Sequence, residues 1–232
     1  MRLTRSILAD RKGLAAAIVA VVALGATAGM TLGGFSATIQ NPTNTFSSGT
    51  IQLEEGVAST TCFSTGTGTG GSVDAANTGT CSSEDDLGAA LDQVPGGTPV
   101  ATTVTLTNVG NVGTTASELA SGACTAAAAA DDNAYVGQDT AGYCGEVDVT
   151  VANTTTGATD ACVYPTQVAA CPAMSNTYTL ASMASSSFTT PMSPLASQAS
   201  ATYVITVELD PGATNADQGL TATIPLTWSI TQ

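Results

Sequence analysis

The chain has 232 residues, of which 43% are hydrophobic and only 9% charged, with four Lys plus Arg, 18 Asp plus Glu and no His. All four cationic residues and a single acid, Asp10, precede residue 35, so residues 35–232 hold 17 carboxylates and no cationic side chain. This composition argues against nucleic acid and anionic membrane surfaces as partners, because both are bound through Lys and Arg. It also argues against acidic ligands, since no guanidinium is present to dock them.

Residues 1–34 have the pattern of an export signal. A basic start that holds all four Lys and Arg is followed by an apolar stretch from Leu14 and by small residues up to Gly34. A retained hydrophobic anchor helix is the alternative, since about 19 apolar residues can just span a bilayer. The Ala- and Gly-rich core favours cleavage, somewhere within residues 28–37. We therefore expect a secreted or cell-surface protein with no membrane segment after cleavage, and a single domain over residues 35–232.

Six cysteines follow the predicted leader. An even number in an exported chain predicts disulfides formed in an oxidising compartment, although the sequence alone does not fix their pairing. We favour nearest-neighbour pairs, because each bond would then close one local loop. Zinc binding is disfavoured, since the chain has no Cys-x-x-Cys and no His. The six residues are Cys62, Cys81, Cys124, Cys144, Cys162 and Cys171.

Alternation of apolar and polar residues predicts a series of strands. In chain order they cover residues 45–53, 100–107, 146–152, 177–181 (the weaker pattern), 202–209 and 220–232. In the last of these, Pro225 interrupts the pattern and suggests an edge position or a bulge. We expect Trp228 in the core, because it lies on the apolar face of this strand. That face consists of Ala222, Ile224, Leu226, Trp228 and Ile230.

The segments between the predicted strands are rich in turn residues. Residues 66–71, 94–97 and 108–113 contain glycines typical of loops and turns. The alanine run at residues 126–130 is expected to form one short helical turn, and no longer amphipathic helix is predicted. Many strands joined by turns predict an all-β fold, an antiparallel β-sandwich of jelly-roll type.

No motif in the chain points to catalysis. The absence of His excludes the Ser-His-Asp arrangement and the H-E-x-x-H zinc motif. No P-loop, nucleophile elbow or dinucleotide-binding motif occurs. The adjacent acids at residues 54–55 and 84–86 are expected to form a solvated face, so no catalytic residue is predicted.

Calcium is the one cofactor that the sequence makes worth considering. Hard oxygen ligands occur in predicted loops, which is the ligand type that Ca²⁺ prefers. No EF-hand loop is present, and we favour a plain acidic surface loosely screened by divalent cations. The candidate ligands are Glu84, Asp85, Asp86, Asp131 and Asp132.

Three stretches, in order along the chain, resemble the TasA and camelysin family of bacterial cell-surface proteins. The first is an aromatic residue after the leader and a strand motif consisting of Thr45, Phe46, Gly49, Thr50 and Leu53. The second, residues 103–110, resembles the family's strand running into Asn-x-Gly. The third, residues 215–232, resembles its Asn-x-x-Gln-Gly turn and closing strand. Versions with cysteines are similar to those of actinobacteria.

The resemblance implies a jelly-roll fold, export with a dedicated signal peptidase and assembly into biofilm-matrix fibres. In TasA-type fibres the N-terminal segment of one subunit completes the sheet of the next. Here that donor would run from residue 35 to about residue 44 and begin with Phe35, Ser36, Ala37, Thr38 and Ile39. The leading hypothesis is therefore a structural, self-polymerising protein. A camelysin-like metallo-endopeptidase and a monomeric surface adhesin are the alternatives, and nothing in the sequence supplies the His ligands of the former.

Overall fold

A computed structural model describes residues 49–65, 71–73, 77, 79–81, 84–88, 93–129, 137, 139–158, 161–165, 170–185 and 189–232. The predicted leader and the predicted donor strand Phe35–Ile39 lie outside these residues. Residues 48–232 form one compact unit. None of the described helices is long and apolar enough to cross a membrane.

The described part of the chain is dominated by antiparallel strands, as the Thr- and Val-rich alternation predicts. A single short α-helix, α1 (Leu180–Ser185), and two 3-10 helices (Tyr143–Gly145 and Asn215–Asp217) accompany them there. The strands are β1 (Leu53–Val57), β2 (Thr60–Phe63), β3 (Gly71–Val73), β4 (Gly79–Cys81), β5 (Val100–Asn108), β6 (Ala116–Ser121), β7 (Thr125–Ala128), β8 (Val147–Asn153), β9 (Cys162–Tyr164), β10 (Thr189–Met192), β11 (Ser200–Leu209), β12 (Leu220–Thr223) and β13 (Leu226–Thr231).

The strands form a sandwich. One layer is a six-stranded sheet in the order β2-β1-β5-β11-β8-β9, and the other consists of β10-β6-β13 and β12-β7. The chain turns from β6 to β7 where it also turns from β12 to β13, so these two pairs continue one another around a corner. The small hairpin β3-β4 pairs with neither layer and is joined to β2 by the Cys62–Cys81 disulfide. The antiparallel sandwich is confirmed, whereas its assignment to the jelly-roll type stays a prediction.

The core lies between the two layers. Val104 and Ile205 from the six-stranded sheet and Leu119 from β6 are completely shielded from solvent. Alternate residues of β11 are buried along its whole length, which is the period-two pattern of a strand with one face on a core. The sequence predicted β5, β8 and β11 to within two residues of their observed ends.

Several other sequence predictions are wrong in detail. Of the strand predicted over residues 45–53, residues 45–48 lie outside the described residues and residues 49–52 are not in a strand; β1 begins at Leu53, where pairing with β2 and β5 begins. The alanine run predicted as a helical turn contains strand β7, because pairing with β12 outweighs the helix propensity of alanine. The residues predicted as a weak strand, 177–181, make one isolated bridge at Thr179 and then enter α1.

The predicted last strand is two strands in two different sheets. β12 pairs with β7 and β13 pairs with β6, with Ile224 and Pro225 between them. Pro225 has no N–H group to donate to a ladder, and its carbonyl accepts a hydrogen bond from the Gly122 N–H at 2.8 Å. Pro225 therefore marks the corner of the second layer rather than a bulge within one strand.

The turn after β5 explains two of the family-like motifs physically. The buried Asn108 side chain donates to the Val112 carbonyl at 2.8 Å and accepts from the Gly110 N–H at 3.1 Å. A Cβ on Gly110 would collide with the Thr50 carbonyl. Asn111 Oδ1 accepts from the Thr50 N–H at 2.7 Å. The Asn-x-Gly turn and the Gly-Thr motif before β1 thus hold each other in place.

Three disulfides join Cys62 to Cys81, Cys124 to Cys144 and Cys162 to Cys171. This is the nearest-neighbour pairing that the sequence favoured, and each bond closes a loop of 9 to 20 residues. Bonds of this kind stabilise a fold mainly by restricting the unfolded chain. The cysteines are consumed structurally and are not available as metal ligands.

Candidate functional site

A cavity of about 840 Å³ lies beside the strand pair β12 and β13. All ten consecutive residues from Thr221 to Ile230 line it. Side chains of a strand alternate between its two faces, so a cavity over one face would be lined by every second residue. An unbroken run of lining residues means that the cavity follows the edge of these strands. We call this space the edge groove.

The edge groove faces the outer edges of β12 and β13. On its inner side β13 pairs with β6, and β12 pairs with β7. Within the part of the chain that the structure describes, no strand pairs with the other side of either. Ile224 is buried, and Leu226, Trp228 and Ile230 are partly buried against the core. The groove thus combines an apolar wall with a row of backbone groups that a further strand could pair with.

The opposite wall of the edge groove comes from the first strands of the six-stranded sheet. Leu53 and Glu55 of β1 and Phe63 of β2 line it. The Cys62–Cys81 disulfide also lines it and ties β2 to β4, from which the chain leads into residues 84–88. This connection places Asp86 in the groove beside β13, although the two are far apart in the sequence.

Glu55 points inward because of the alternation in β1. Leu53 and Val57 are buried at 8% and 5% exposure, and Glu55 lies between them on the same face of the strand. Its carboxyl group lies within hydrogen-bonding contact of Asp86. Glu55 Oε1 and Asp86 Oδ1 are inaccessible to solvent, and within the described part of the chain no N–H or hydroxyl group donates to either atom. The solvated face that the sequence predicted for these acids is therefore wrong for Glu55 and Asp86.

Burial and the proximity of like charges favour retention of a proton by this carboxyl pair. Burial, together with the charges of Asp86 and Glu84, raises the pKa of Glu55 to about 8. Burial also raises the pKa of Asp86, but the Trp228 Nε1–H donates to Asp86 Oδ2 at 3.1 Å and favours its charged form. The pKa of Glu55 therefore favours the proton on Glu55 at neutral pH, and the hydrogen bond from Trp228 favours the negative charge on Asp86. The indole also contacts Tyr203, with ring centroids 5.1 Å apart.

The neighbouring acid Asp85 has a local structural role. Its side chain accepts a hydrogen bond from the Leu87 N–H at 3.1 Å, and its carbonyl accepts from the Gly88 N–H at 3.0 Å. Gly88 has a φ of +70°, a backbone conformation that favours glycine. Partial burial raises the pKa of Asp85. Asp85 thus shapes the turn that carries Asp86.

A second group of acids lies on the six-stranded sheet, away from the edge groove. Asp148 of β8 is 1% exposed and stands opposite Glu208 of β11. Burial and the charges of Asp210, Glu208 and Glu146 raise the pKa of Asp148 to about 6. Like charges directly opposite one another destabilise a sheet, so this group is a cost to the fold at neutral pH.

The calcium prediction gains no support at Glu84, Asp85 and Asp86. Among the described residues, no three Asp, Glu, His or Cys side chains are grouped so that they could hold a metal ion. One of these acids is used in a turn and another in the hydrogen bond to Trp228. Asp131 and Asp132 lie outside the described residues. The arrangement can bind hydrogen-bonding or apolar groups, and we identify no catalytic set among the described side chains.

The sequence pointed to Trp228 and Asp86 but not to their contact, and it predicted Glu55 as part of a solvated face. Trp228 was expected to be only a core residue, whereas it is partly buried and bridges the core to Asp86. The signal for Glu55 was present in the alternation of Leu53, Glu55 and Val57. A comparison with protein-family models and with curated proteins finds no match for this chain. The resemblance to the TasA and camelysin proteins therefore rests on the quoted motifs alone.

Proposed function

We propose that the protein is a secreted structural subunit that polymerises into fibres at the cell surface or in a biofilm matrix. In this proposal the edge groove of one copy receives residues 35–44 of the next copy as an added strand. The observation that carries it is the edge of β12 and β13 that no other described strand pairs with, and this edge runs beside a cavity large enough for a chain segment. Unpaired strand edges are natural templates for pairing with another chain.

The chemistry of the donor segment fits such a groove. Phe35, Ala37 and Ile39 alternate with Ser36 and Thr38, so one face of an extended strand would be apolar and the other would carry hydroxyl groups. Residues 35–44 contain no charged side chain. The apolar face suits a wall formed by Leu226, Trp228 and Ile230.

The length of the donor also fits. Pro42 lacks an N–H group, so we expect main-chain pairing to end before it and to cover residues 35–41. β13 has six residues, Leu226–Thr231. A donor of this length therefore covers β13 and leaves the corner at Pro225 unpaired. Pro225 of the acceptor has no N–H group to donate at that corner.

The charge of the protein sets a condition on assembly. Residues 35–232 carry 17 carboxylates and no cationic side chain, so subunits repel one another at low ionic strength. Salt shortens the range of this repulsion to about 10 Å at 0.1 M. We expect assembly to be weaker at low salt and after removal of divalent cations by a chelator. Assembly indifferent to both would contradict a role of charge screening.

Electron microscopy of negatively stained protein tests the proposal. A chain that begins at Phe35 is compared with one that begins at residue 45, and with a full-length donor variant that carries Phe35→Ser and Ile39→Ser. The last variant keeps the length and the backbone of the donor but removes its apolar anchors. We expect filaments only from the first protein. Discrete particles from all three, across salt and calcium concentrations, would overturn the fibre proposal and favour a monomeric adhesin.

A further inference from the structure

The carboxyl pair Glu55 and Asp86 lines the space that the donor strand would fill. Both side chains belong to the wall opposite β12 and β13, and Trp228 connects the pair to β13 itself. In the open groove, water can reach the rest of the cavity and reduce the cost of a second negative charge. A strand seated in the groove displaces that water, and two ionised carboxylates in contact then become much more costly.

Residues 35–232 contain no cationic side chain to offset these charges. The only Lys and Arg residues are Arg2, Arg5, Arg11 and Lys12, all within the predicted leader, and the chain has no His. The donor residues 35–44 carry no charged side chain, and the α-amino group of a chain that begins at Phe35 is the one cationic group on the donor. The described titratable groups that face the pair are Glu84 and Asp85, which are also acids. β2, β5, β12 and β13 add no titratable side chain, since Cys62 is in a disulfide.

We propose that strand insertion into the edge groove is linked to a proton held between Glu55 and Asp86, so that alkaline conditions release the donor strand. This inference rests on the proposed function and concerns the regulation of the same groove. The linkage is reciprocal: a closed groove holds the proton more tightly, and loss of the proton weakens the closed state.

The direction of the pH effect on strand insertion follows from the titration of the carboxyl pair. Below the pKa of Glu55, about 8, the proton is already in place and insertion needs no further uptake. Above it, the open groove has lost the proton and must regain it when the strand enters. Affinity between subunits should then fall about tenfold per pH unit, because each insertion takes up one proton. Between pH 7 and pH 9 the expected loss is about tenfold in total.

Two glutamates on one strand provide a matched pair of variants. Glu55→Gln places an amide N–H where the protonated carboxyl would donate to Asp86, without any titration. Glu54→Gln removes one charge from the adjacent residue, whose side chain lies on the other face of β1. Both variants retain the α-amino group at Phe35, whose ordinary pKa of about 8 falls in the same window. The difference between them isolates the carboxyl pair.

The test measures the critical concentration for filament formation of the protein beginning at Phe35, by light scattering and electron microscopy, at pH 6, 7, 8 and 9 with EDTA present throughout. We expect a rise of about tenfold from pH 7 to pH 9 in the unaltered protein and in Glu54→Gln, and no rise in Glu55→Gln. Filaments that form equally well at every pH would overturn the proton linkage and leave the fibre proposal intact. An equal rise in all three proteins would also overturn it. No filaments from any protein at any pH would overturn the fibre proposal and this inference with it.

Discussion

The centre of the six-stranded sheet and the edge groove both contain strands of alternating apolar and polar residues, but they differ in strand pairing and in burial. At the centre, Val104, Val151 and Ile205 are completely buried and each strand has a partner on both sides. At the groove, β12 and β13 have one partner each among the described strands, and the apolar residues are only partly buried. The groove also contains a carboxyl pair. Stability is concentrated in the first region, and the capacity to bind a further strand in the second.

A region that serves only the fold has no reason to keep two acids in contact, because their burial destabilises it. Acids retained beside an unpaired edge are therefore better candidates for function than acids elsewhere. Asp148 is the useful counterexample: it is less exposed to solvent than Glu55, but its strand β8 is paired on both sides.

The largest expected effect separates the two regions by matched truncations. Ile205→Ala should lower the free energy of unfolding by about 2–5 kcal/mol, because it opens a cavity in a closed core. Ile230→Ala, at the partly buried wall of the groove, should cost less than half as much and yet weaken filament formation more. Chemical denaturation and light scattering check the two halves. A larger loss of stability from Ile230→Ala would contradict the division into a stable centre and a binding edge.

The disulfides provide the next comparison. Removing the Cys124–Cys144 bond by a double change to Ser should cost about 3 kcal/mol of unfolding free energy, as expected for a loop of its length. Removing the Cys62–Cys81 bond should cost about the same, because its loop is nearly equal. Only the second change should also raise the critical concentration for assembly, since that bond lines the groove. Equal effects on assembly would remove the structural role assigned to the loop at residues 84–88.

A smaller effect is expected at the indole. Trp228→Phe keeps an aromatic ring but removes the N–H that donates to Asp86. Hydrogen bonds to charged groups are worth about 1.5–3 kcal/mol, and we expect a loss near the lower limit because Trp228 is only partly buried. The pKa of Asp86 should rise as well, which NMR titration of its side-chain carboxyl can follow. An unchanged titration would show that the indole does not determine where the proton resides.

The smallest effect distinguishes the two acidic sites by their pH windows. The raised pKa of Asp148, about 6, means that the folded state binds its proton more tightly than the unfolded state, whose reference value is 3.8. Stability should therefore fall as pH rises from about 4 to 6. Asp148→Asn should raise the melting temperature at pH 7.5 and change it little at pH 4. Glu118 is exposed, so Glu118→Gln should change the melting temperature little at either pH. A stabilisation that is equal at both pH values would exclude titration as its cause.

The sequence predicted the centre of the fold well and the edges poorly. β5 and β11 follow from alternation, because one face of each strand is more buried than the other. β8 has alternating valines in its sequence, although both of its faces are largely buried. The break at Pro225, the strand at the alanine run and the start of β1 depend on pairing with segments far along the chain. Local propensity does not contain that information. The disulfide pairing was predictable because each bond is local in sequence.

The candidate site was predictable only in part. Alternation around Leu53 and Val57 places Glu55 on an inward face, and Trp228 lies in a clear strand pattern. The approach of Asp86 to both was not predictable, because it depends on the Cys62–Cys81 disulfide and on a loop without periodicity. The unpaired edge itself is a property of the sheet order, which no single strand's sequence reveals.

Amide hydrogen exchange at β12 and β13 tests the central claim most directly. In an edge strand every second N–H points away from its partner and exchanges freely with solvent. The account predicts that alternate amides of residues 221–231 exchange rapidly in the protein that begins at residue 45 and become protected in filaments of the protein that begins at Phe35. Equal exchange at these amides in filaments and in the truncated protein would contradict it, because the edge would then be unpaired in both.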